Sequence, residues 1–468
     1  MLITKSGVTI LKEFTSSRSK LDFMDALEGT FDVVIIGSGP AGLAASSEAL
    51  RANKKVLVID AGETLSQLYA STQFDKRYFG HPTGGLGGAA RLWGAQSGFL
   101  DSLSLEKWSE LVGCKEDFWN SLDLARLQMN EFLDIKVHHD NLYNVTKETD
   151  LRVFVSQFGF NLRHTVYPKN PSILWHWQKF LNHQNFQLIL GERLIKIQKN
   201  YILSFESGKT LPLGRAKLVI AAGTLATTEI ISRSYPEESL RFAIGKNLQD
   251  HPCGIVASYS GKGKIRLAKG QVLRSKYGLL KRKYEYRTNN VCGVVEFHYD
   301  LDSDEPLIKE KISSIVNKLS QRVLKRIVVV PPKLNVWIQI EQSTGNELSL
   351  DSKTDKLISS WRCSESDIKV FEEIFTAAHR MLVSEGFDLI DAPNFSSFEP
   401  NQAFHPSGTI SMNTNPNLGF VNEFGLMHKN EQILIASAAI FPTPGWVNPT
   451  FLIMSLSTLG TKKLLDIN

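Results

Sequence analysis

Cysteine is scarce in this chain and widely scattered. The four residues are Cys114, Cys253, Cys292 and Cys363. No two stand as C-x-x-C, so neither a zinc ribbon nor a disulfide framework can be read from them. That usage suits a reducing compartment, and a cytoplasmic home is the expectation. The chain also lacks any apolar run of roughly 18 residues, the length a helix needs to cross a bilayer. Its opening stretch, MLITKSGVTILKEFTSSRSK, has no long apolar core and no small-residue cleavage site, so no secretory signal is expected there. No internal repeat, no low-complexity tract and no His, Cys, Asp and Glu spacing of a metal site is present. Charge of one sign is lacking too: 53 basic against 48 acidic residues leave +5, too small an excess to imply a nucleic acid partner.

What is there is an ordinary globular composition, 42% apolar and 22% charged, over 468 residues. That length implies two or three domains, or one large interrupted one. Residues 1–30 form a leading extension. From Phe31 to Gly62 runs FDVVIIGSGPAGLAASSEALRANKKVLVIDAG. Its first apolar run suits a buried parallel strand. Gly37, Gly39 and Gly42 follow at G-x-G-x-x-G spacing, then a helical stretch, then a second apolar run ending at Asp60. Gly37 permits a tight turn, Gly39 lets a pyrophosphate approach the backbone, and Gly42 lets helix and strand pack closely. The helix N-terminus offers N–H groups to phosphate, and Asp60 is placed to accept from a ribose. This is a dinucleotide-binding unit, which by itself does not separate FAD from NAD.

Five further segments carry more. GGLGGAARLWGAQSG (84–98) is a glycine-rich loop in which backbone must approach something closely. AKLVIAAGTLATTEIISRS (216–234) reads as strand, turn and helix, with IGKNLQDHP (244–252) behind it. AFHPSGTISM (403–412) and ILIASAAIFPTPGWVNPTFLIMSLSTLGTKKL (433–464) close the chain, the latter as a strand, a proline-rich turn and a final helix.

Taken in this order, the motifs resemble the glucose–methanol–choline (GMC) oxidoreductase family, over residues 31 to 465. The resemblance implies an α/β fold: a Rossmann-like FAD-binding domain built from separated segments, with an inserted α+β substrate domain containing an antiparallel sheet. The expected division is 31–128, 189–255 and 403–468 for FAD binding, with 129–188 and 256–402 for the substrate domain. VVEFHYD (294–300) and LNVWIQIEQ (334–342) read as substrate-domain strands by their alternation, and 346–362 resembles the family's hairpin in that domain.

The resemblance also implies cofactor contacts. In the first unit they are Gly37, Ser38, Gly39, Ala41, Gly42, Asp60 and Ala61; in the glycine loop, Gly87, Gly88, Arg91 and Trp93. Leu194, Ala222, Ser437, Ala438, Pro449 and Thr450 complete the set. His405 matches the family's H-x-x-G-T histidine facing the flavin, and Asn448 matches its second polar residue. The implied reaction is oxidation of an alcohol to a carbonyl. His405 takes the hydroxyl proton, as an imidazole of reference pKa ~6.5 suits, and hydride passes to flavin N5. Asn448 either holds the alcohol oxygen or caps the last helix ahead of Pro449.

The sequence departs from the family at Ile410–Asn413, where an Arg-Met-Gly is usual, and at Ser437, where an Asp is usual. Leu92 stands where sugar-oxidising relatives carry a flavin-linked histidine, so FAD is expected to be non-covalent. The glycine loop and the His/Asn pair lean to the sugar-oxidising branch, hence a sugar, glycoside or polyol substrate, with Trp446 as a stacking residue. His251 reads as architectural. The electron acceptor stays open between oxygen, a quinone and a redox protein. A flavin-dependent isomerase or eliminase, or a flavin-binding scaffold without turnover, are the alternatives. The basic stretches 269–287 and 308–327 read as solvated faces, the second an amphipathic helix; contact with an anionic membrane or a phosphorylated substrate is their weaker reading.

Overall fold

The structure is a computed structural model that describes residues 30–62, 69–70, 83–91, 96, 98–100, 102–135, 149–170, 172–180, 182–260, 272–275, 278–288, 291–300, 333–343, 345–351, 353–391 and 393–467. The helix expected over 308–327, together with Leu92 and Trp93, lies outside the described residues.

The elements that position the site are, in chain order, β1 (Val33–Ile36), α1 (Pro40–Arg51), β2 (Val56–Asp60), α2 (Glu116–Phe132), β3 (Phe160–Val166), α3 (Ile173–Gln178) and β4 (Phe186–Leu190). Then come β5 (Lys217–Ile220), α4 (Gly223–Ser234), β6 (Pro252–Ser260), β7 (Gly278–Arg287), β8 (Cys292–Asp300) and β9 (Lys333–Ile340). The last are α5 (Glu365–Ser384), β10 (Asn430–Ile435) and α6 (Thr450–Leu464).

Five of these strands make a parallel sheet in the order β10-β5-β1-β2-β4, with Leu426–Met427 antiparallel on the β10 edge. β1 and β2 are apolar throughout because both faces of a parallel sheet are covered. Val34, Ile36, Leu57 and Ile59 enter one core with α2 and α4, while Val33, Ile35, Val56 and Val58 enter another with α1 and α6. The two-residue period of the strand thus divides one apolar run between two cores.

Among the described residues, the second sheet has eight strands, all antiparallel. Its path is Val272–Ser275, β7, β8, β9, β6 and Asp388–Asp391, with β3 paired to β7 and Asn401–Gln402 paired to β6. One face carries Tyr284, Val295, Phe297, Val336 and Ile338 and is covered by Phe371, Ile374, Phe375 and Met381 of α5. α5 starts at a capping box, Ser364 with Asp367, which satisfies donors that the helix start would leave orphaned. The opposite face looks toward the nucleotide-binding half: Gln339 donates to Trp446 O at 3.1 Å, and Thr165 reaches Gln96 at 3.4 Å.

Two segments pack differently from the expected division. Of 129–188, β3 joins the antiparallel sheet, with Leu151 and Val155 in its core; Met129, Leu133, Ile135, Ile173, Trp177, Phe180 and Phe186 sit in the core beside α1, and β4 extends the parallel sheet. Two apolar faces, that of α3 and that of β4, find their nearest cover there. The 346–362 hairpin, Leu348–Leu350 with Leu357–Ser359, forms its own two-stranded sheet. It packs on Leu225 and Leu248 rather than extending the substrate sheet.

Candidate active site

Ser38 and Asp60 tie the glycine turn together. Ser38 is fully buried and Asp60 nearly so. One carboxylate oxygen of Asp60 accepts from Ser38 N at 2.8 Å and Ser38 Oγ at 2.6 Å; the other accepts from Gly62 N at 2.9 Å and Gly85 N at 2.8 Å. Gly87 N donates to Ser38 Oγ at 3.1 Å, and the Trp177 indole donates to Ser38 O at 2.9 Å. β1, β2, the 85–87 loop and α3 therefore meet at one serine. Trp177 was not legible as part of this cradle, because its contact is to a main-chain carbonyl 139 residues away. An ionised carboxylate has about four acceptor positions, and protein donors fill them in Asp60.

The glycines test whether this turn suits FAD. A Cβ on Gly37, whose φ is +100°, would stand 2.4 Å from Ala221 O, and one on Gly42 would stand 2.0 Å from Gly37 O. A Cβ on Gly39 would meet nothing within 4 Å. Protein crowds the outer two glycines, whereas the middle one faces open space at the start of α1, where Pro40 occupies the first turn and no side chain caps the helix. That is the space a pyrophosphate takes against free helix N–H groups, so the residues fit the cofactor. Gly39→Ala should accordingly leave the thermal midpoint of apoprotein unchanged while weakening FAD binding. Gly42→Ala should also lower that midpoint, since overpacking against backbone costs about 1–3 kcal/mol. Fluorescence titration with FAD beside a melt of stripped protein separates the two.

The other expected cofactor residues are placed as follows. Ala41 and Gly42 are buried in the first turn of α1, and Ala61 is half-buried just past β2. Gly87 is buried and Gly88 half-buried in the glycine loop, where Gly88–Arg91 form one short helical turn; the Arg91 side chain, like Trp93, is outside the described residues. Leu194 is buried in the core. Ala222 precedes α4. Ser437 Oγ accepts from Ala439 N at 3.2 Å, capping the turn that contains Ala438. Pro449 and Thr450 open α6, whose start carries no side-chain cap. Trp446 is 5% exposed, with its ring in the main core. At that exposure the ring offers little surface for a substrate to stack on.

The H-P-S-G-T segment is knitted to L-Q-D-H. Ala403 N donates to His251 O at 3.1 Å, Ser407 N to Gln249 O at 2.9 Å, and Gly245 N to Thr409 O at 2.7 Å. Gly408 has φ +80°, and a Cβ there would lie 2.5 Å from Asn247 O, so glycine is required for the two segments to close up. Asp250, fully buried, clamps both histidine main chains: its Oδ1 accepts from His251 N at 2.6 Å and His405 N at 3.0 Å. Burial pushes its carboxyl up to about 7 against the pull of those N–H groups.

This ladder brings two imidazoles together. His405 Nδ1 is 3.1 Å from His251 Nδ1, and His251 Nε2 is 3.3 Å from Pro444 O. Asn448 Nδ2 is 3.5 Å from His405 Nε2, and both side chains are half-buried. Burial holds His251 down at about 4. Burial, then the His251 and Lys283 charges, hold His405 well below its ordinary 6.5. A neutral imidazole beside an amide N–H is an arrangement that can take a proton from a hydroxyl and hold its oxygen.

Above the pair, the sheet face turned toward it is polar. Lys283 and Glu296, directly opposite on β7 and β8, form a buried ion pair, and Glu296 is 3.3 Å from His298 Nε2. Glu285 is fully buried between Arg163 at 2.6 Å and Arg287 at 3.0 Å. The basic stretch 269–287, read as a solvated face, thus sends Lys283 inward, because strand alternation overrides local charge.

Comparison with known proteins bears on this geometry. Residues 342–457 match the family model described as GMC oxidoreductase, and residues 32–72 match an FAD binding domain. No curated protein sequence matches the chain. Among solved structures, pyridoxine 4-oxidase from Mesorbium loti superposes with a TM-score of 0.64 at 15% identity, over 92% of this chain and 99% of that one. A fungal aryl-alcohol oxidase gives 0.60 at 13%, over 93% and 99%. Formate oxidase of Aspergillus oryzae gives 0.58 at 14%, over 93% and 98%. These likenesses establish the fold.

Proposed function

We infer that this FAD-dependent oxidoreductase, whose C-terminal part is of the GMC type, oxidises the CH–OH group of a small polar alcohol to a carbonyl. The observation that carries the reading is the approach of Asn448 Nδ2 to His405 Nε2 at 3.5 Å, with both side chains half-buried. FAD, when bound at the Gly37–Gly42 turn and the start of α6, supplies the two-electron acceptor for the hydrogen leaving carbon.

The chain's own residues do the rest. His405 Nε2 receives the hydroxyl proton as the C–H bond breaks, and burial keeps that nitrogen unprotonated at neutral pH. The amide of Asn448 donates to the same oxygen as negative charge grows on it. The Asn448 amide points at His405 Nε2, the nitrogen that faces the same oxygen in this reading. The uncapped start of α6 adds a positive dipole end where the cofactor ring would lie. The overlying sheet face, with Lys283, Glu296, His298 and Gln339, suits a substrate bearing several polar groups, such as a sugar, glycoside or polyol.

A second reading, an aromatic primary alcohol, is favoured by the solved structures of pyridoxine 4-oxidase and aryl-alcohol oxidase. Anaerobic mixing of the FAD-loaded protein with both panels, followed by the flavin colour, tests the two. Bleaching by polyols alone supports the first reading, and bleaching by aromatic alcohols alone replaces it with the second. Turnover of substrate with no bleaching and no acceptor would overturn alcohol oxidation altogether.

A further inference from the structure

We propose that His251 is a positioning residue that fixes the tautomer of His405, leaving the Nε2 lone pair of His405 directed at the substrate hydroxyl. This role rests on the reading of His405 as the base, and three contacts define it.

The Pro444 carbonyl can only accept. It lies 3.3 Å from His251 Nε2, so that nitrogen carries hydrogen. A neutral imidazole holds one N–H, and a His251 protonated at Nε2 has a bare Nδ1. That bare nitrogen is 3.1 Å from His405 Nδ1. Two bare nitrogens would repel at this distance, so His405 Nδ1 carries the hydrogen and donates. His405, itself neutral, is then bare at Nε2, the nitrogen that Asn448 Nδ2 approaches. One main-chain carbonyl thus sets two tautomers in series.

Burial supports the series. A His251 carrying both hydrogens would donate to His405 Nδ1 and force the hydrogen of His405 onto Nε2, which disables the base. His251 is fully buried and held at about 4, so that state is suppressed at neutral pH. The ring positions are equally constrained. The Asp250 Oδ1 atom binds both main-chain N–H groups, and Phe404, immediately before His405, sits at φ +60°. A non-glycine residue in that region persists only where its surroundings hold it. The ring planes meet at 80°, so the two imidazoles are not stacked, and their contact is the one between the Nδ1 atoms.

The test uses FAD-loaded protein carrying ¹⁵N-histidine. His405 is assigned by the signal lost in His405→Gln, and long-range ¹H–¹⁵N correlation then reads which nitrogen bears hydrogen. The expected result is a protonated Nδ1 and a bare Nε2 on His405. His251→Leu should move the hydrogen toward Nε2 and slow flavin reduction by about 10-fold or more, the direction expected when an imidazole base loses the partner that sets its tautomer. Substrate affinity should change little. His251→Asn, whose amide oxygen accepts near the position of Nδ1, should restore most of the rate. A wild-type His405 bearing its hydrogen on Nε2 overturns the proposal. So does an Asn variant that retains FAD yet is as slow as the Leu variant. If His251→Leu does not fold, the wild-type spectrum and the Asn variant still decide. Unimpaired flavin reduction in His405→Ala would instead remove the base reading and leave the tautomer measurement standing.

Discussion

Replacing His405 with alanine is expected to slow flavin reduction by substrate about 10²–10⁴-fold, the usual contribution of a positioned base. The protein should stay yellow, because His405 takes no part in the Ser38–Asp60 cradle. Asn448→Ala removes a donor rather than the base, and about 10²-fold is expected from comparable oxyanion donors. Stopped-flow mixing under anaerobic conditions measures both. The pH profile carries a sign as well. His405 is held well below 6.5 by burial and neighbouring positive charge. Its base form therefore dominates at neutral pH, and the rate should fall only as pH drops through that lowered value. A rate that climbed between pH 6.5 and 8 as a single base ionised would argue that the controlling group is another residue.

The second large effect is expected at the buried pair over the site. Lys283 and Glu296 are 5% and 3% exposed. Lys283→Met leaves a carboxylate in a low-dielectric sheet face without its main partner, at a cost of about 3–5 kcal/mol. The double variant Lys283→Met with Glu296→Met should recover most of that loss, because desolvation of both charges is relieved at once. Urea unfolding of the three variants, followed by tryptophan fluorescence, compares them. Lys283 also helps hold the His405 pKa down, so the acid limb of flavin reduction should move to higher pH in Lys283→Met if enough folded protein remains. A single variant as stable as the double would mean that His298 alone compensates Glu296, to which it already lies at 3.3 Å.

Stability should respond to acid from the same chemistry. His176 is fully buried, donates its Nε2–H to Asn170 O, and is held at about 4 by burial. Its unfolded value is near 6.5, so the unfolded chain binds more proton between about 6.5 and about 4, and the fold weakens as pH falls through that window. Asp250 works the other way. Raised to about 7 from 3.8, it binds proton in the folded state first and offsets part of the loss between those values. Asp250→Asn should therefore steepen the fall of the unfolding midpoint between pH 7 and 4, which a series of thermal melts can read.

Local signals in the sequence determined the nucleotide turn, and the family resemblance pointed to the reacting pair proposed above. A pyrophosphate cradle needs glycine at fixed spacing between a buried strand and a helix, and those demands fall on neighbouring residues from Val33 to Asp60, where they can be read directly. His405 and Asn448 were legible through the motifs around them, and the antiparallel strands through their alternation. Tertiary structure decided what depends on contacts between distant segments. Asp60 has the right position for a ribose, yet its carboxylate is filled by Ser38, Gly62 and Gly85. Trp446 stands next to the catalytic turn, yet its ring is claimed by the core. Trp177 enters the cradle through a carbonyl, which leaves no mark on side-chain pattern. His251 looked architectural in one dimension because its ring meets His405 only when the 245–251 and 403–409 segments close on each other, across 154 residues of chain. Spacing along the chain specifies turns and periods; which nitrogen faces which acceptor is fixed only when packing removes the alternatives.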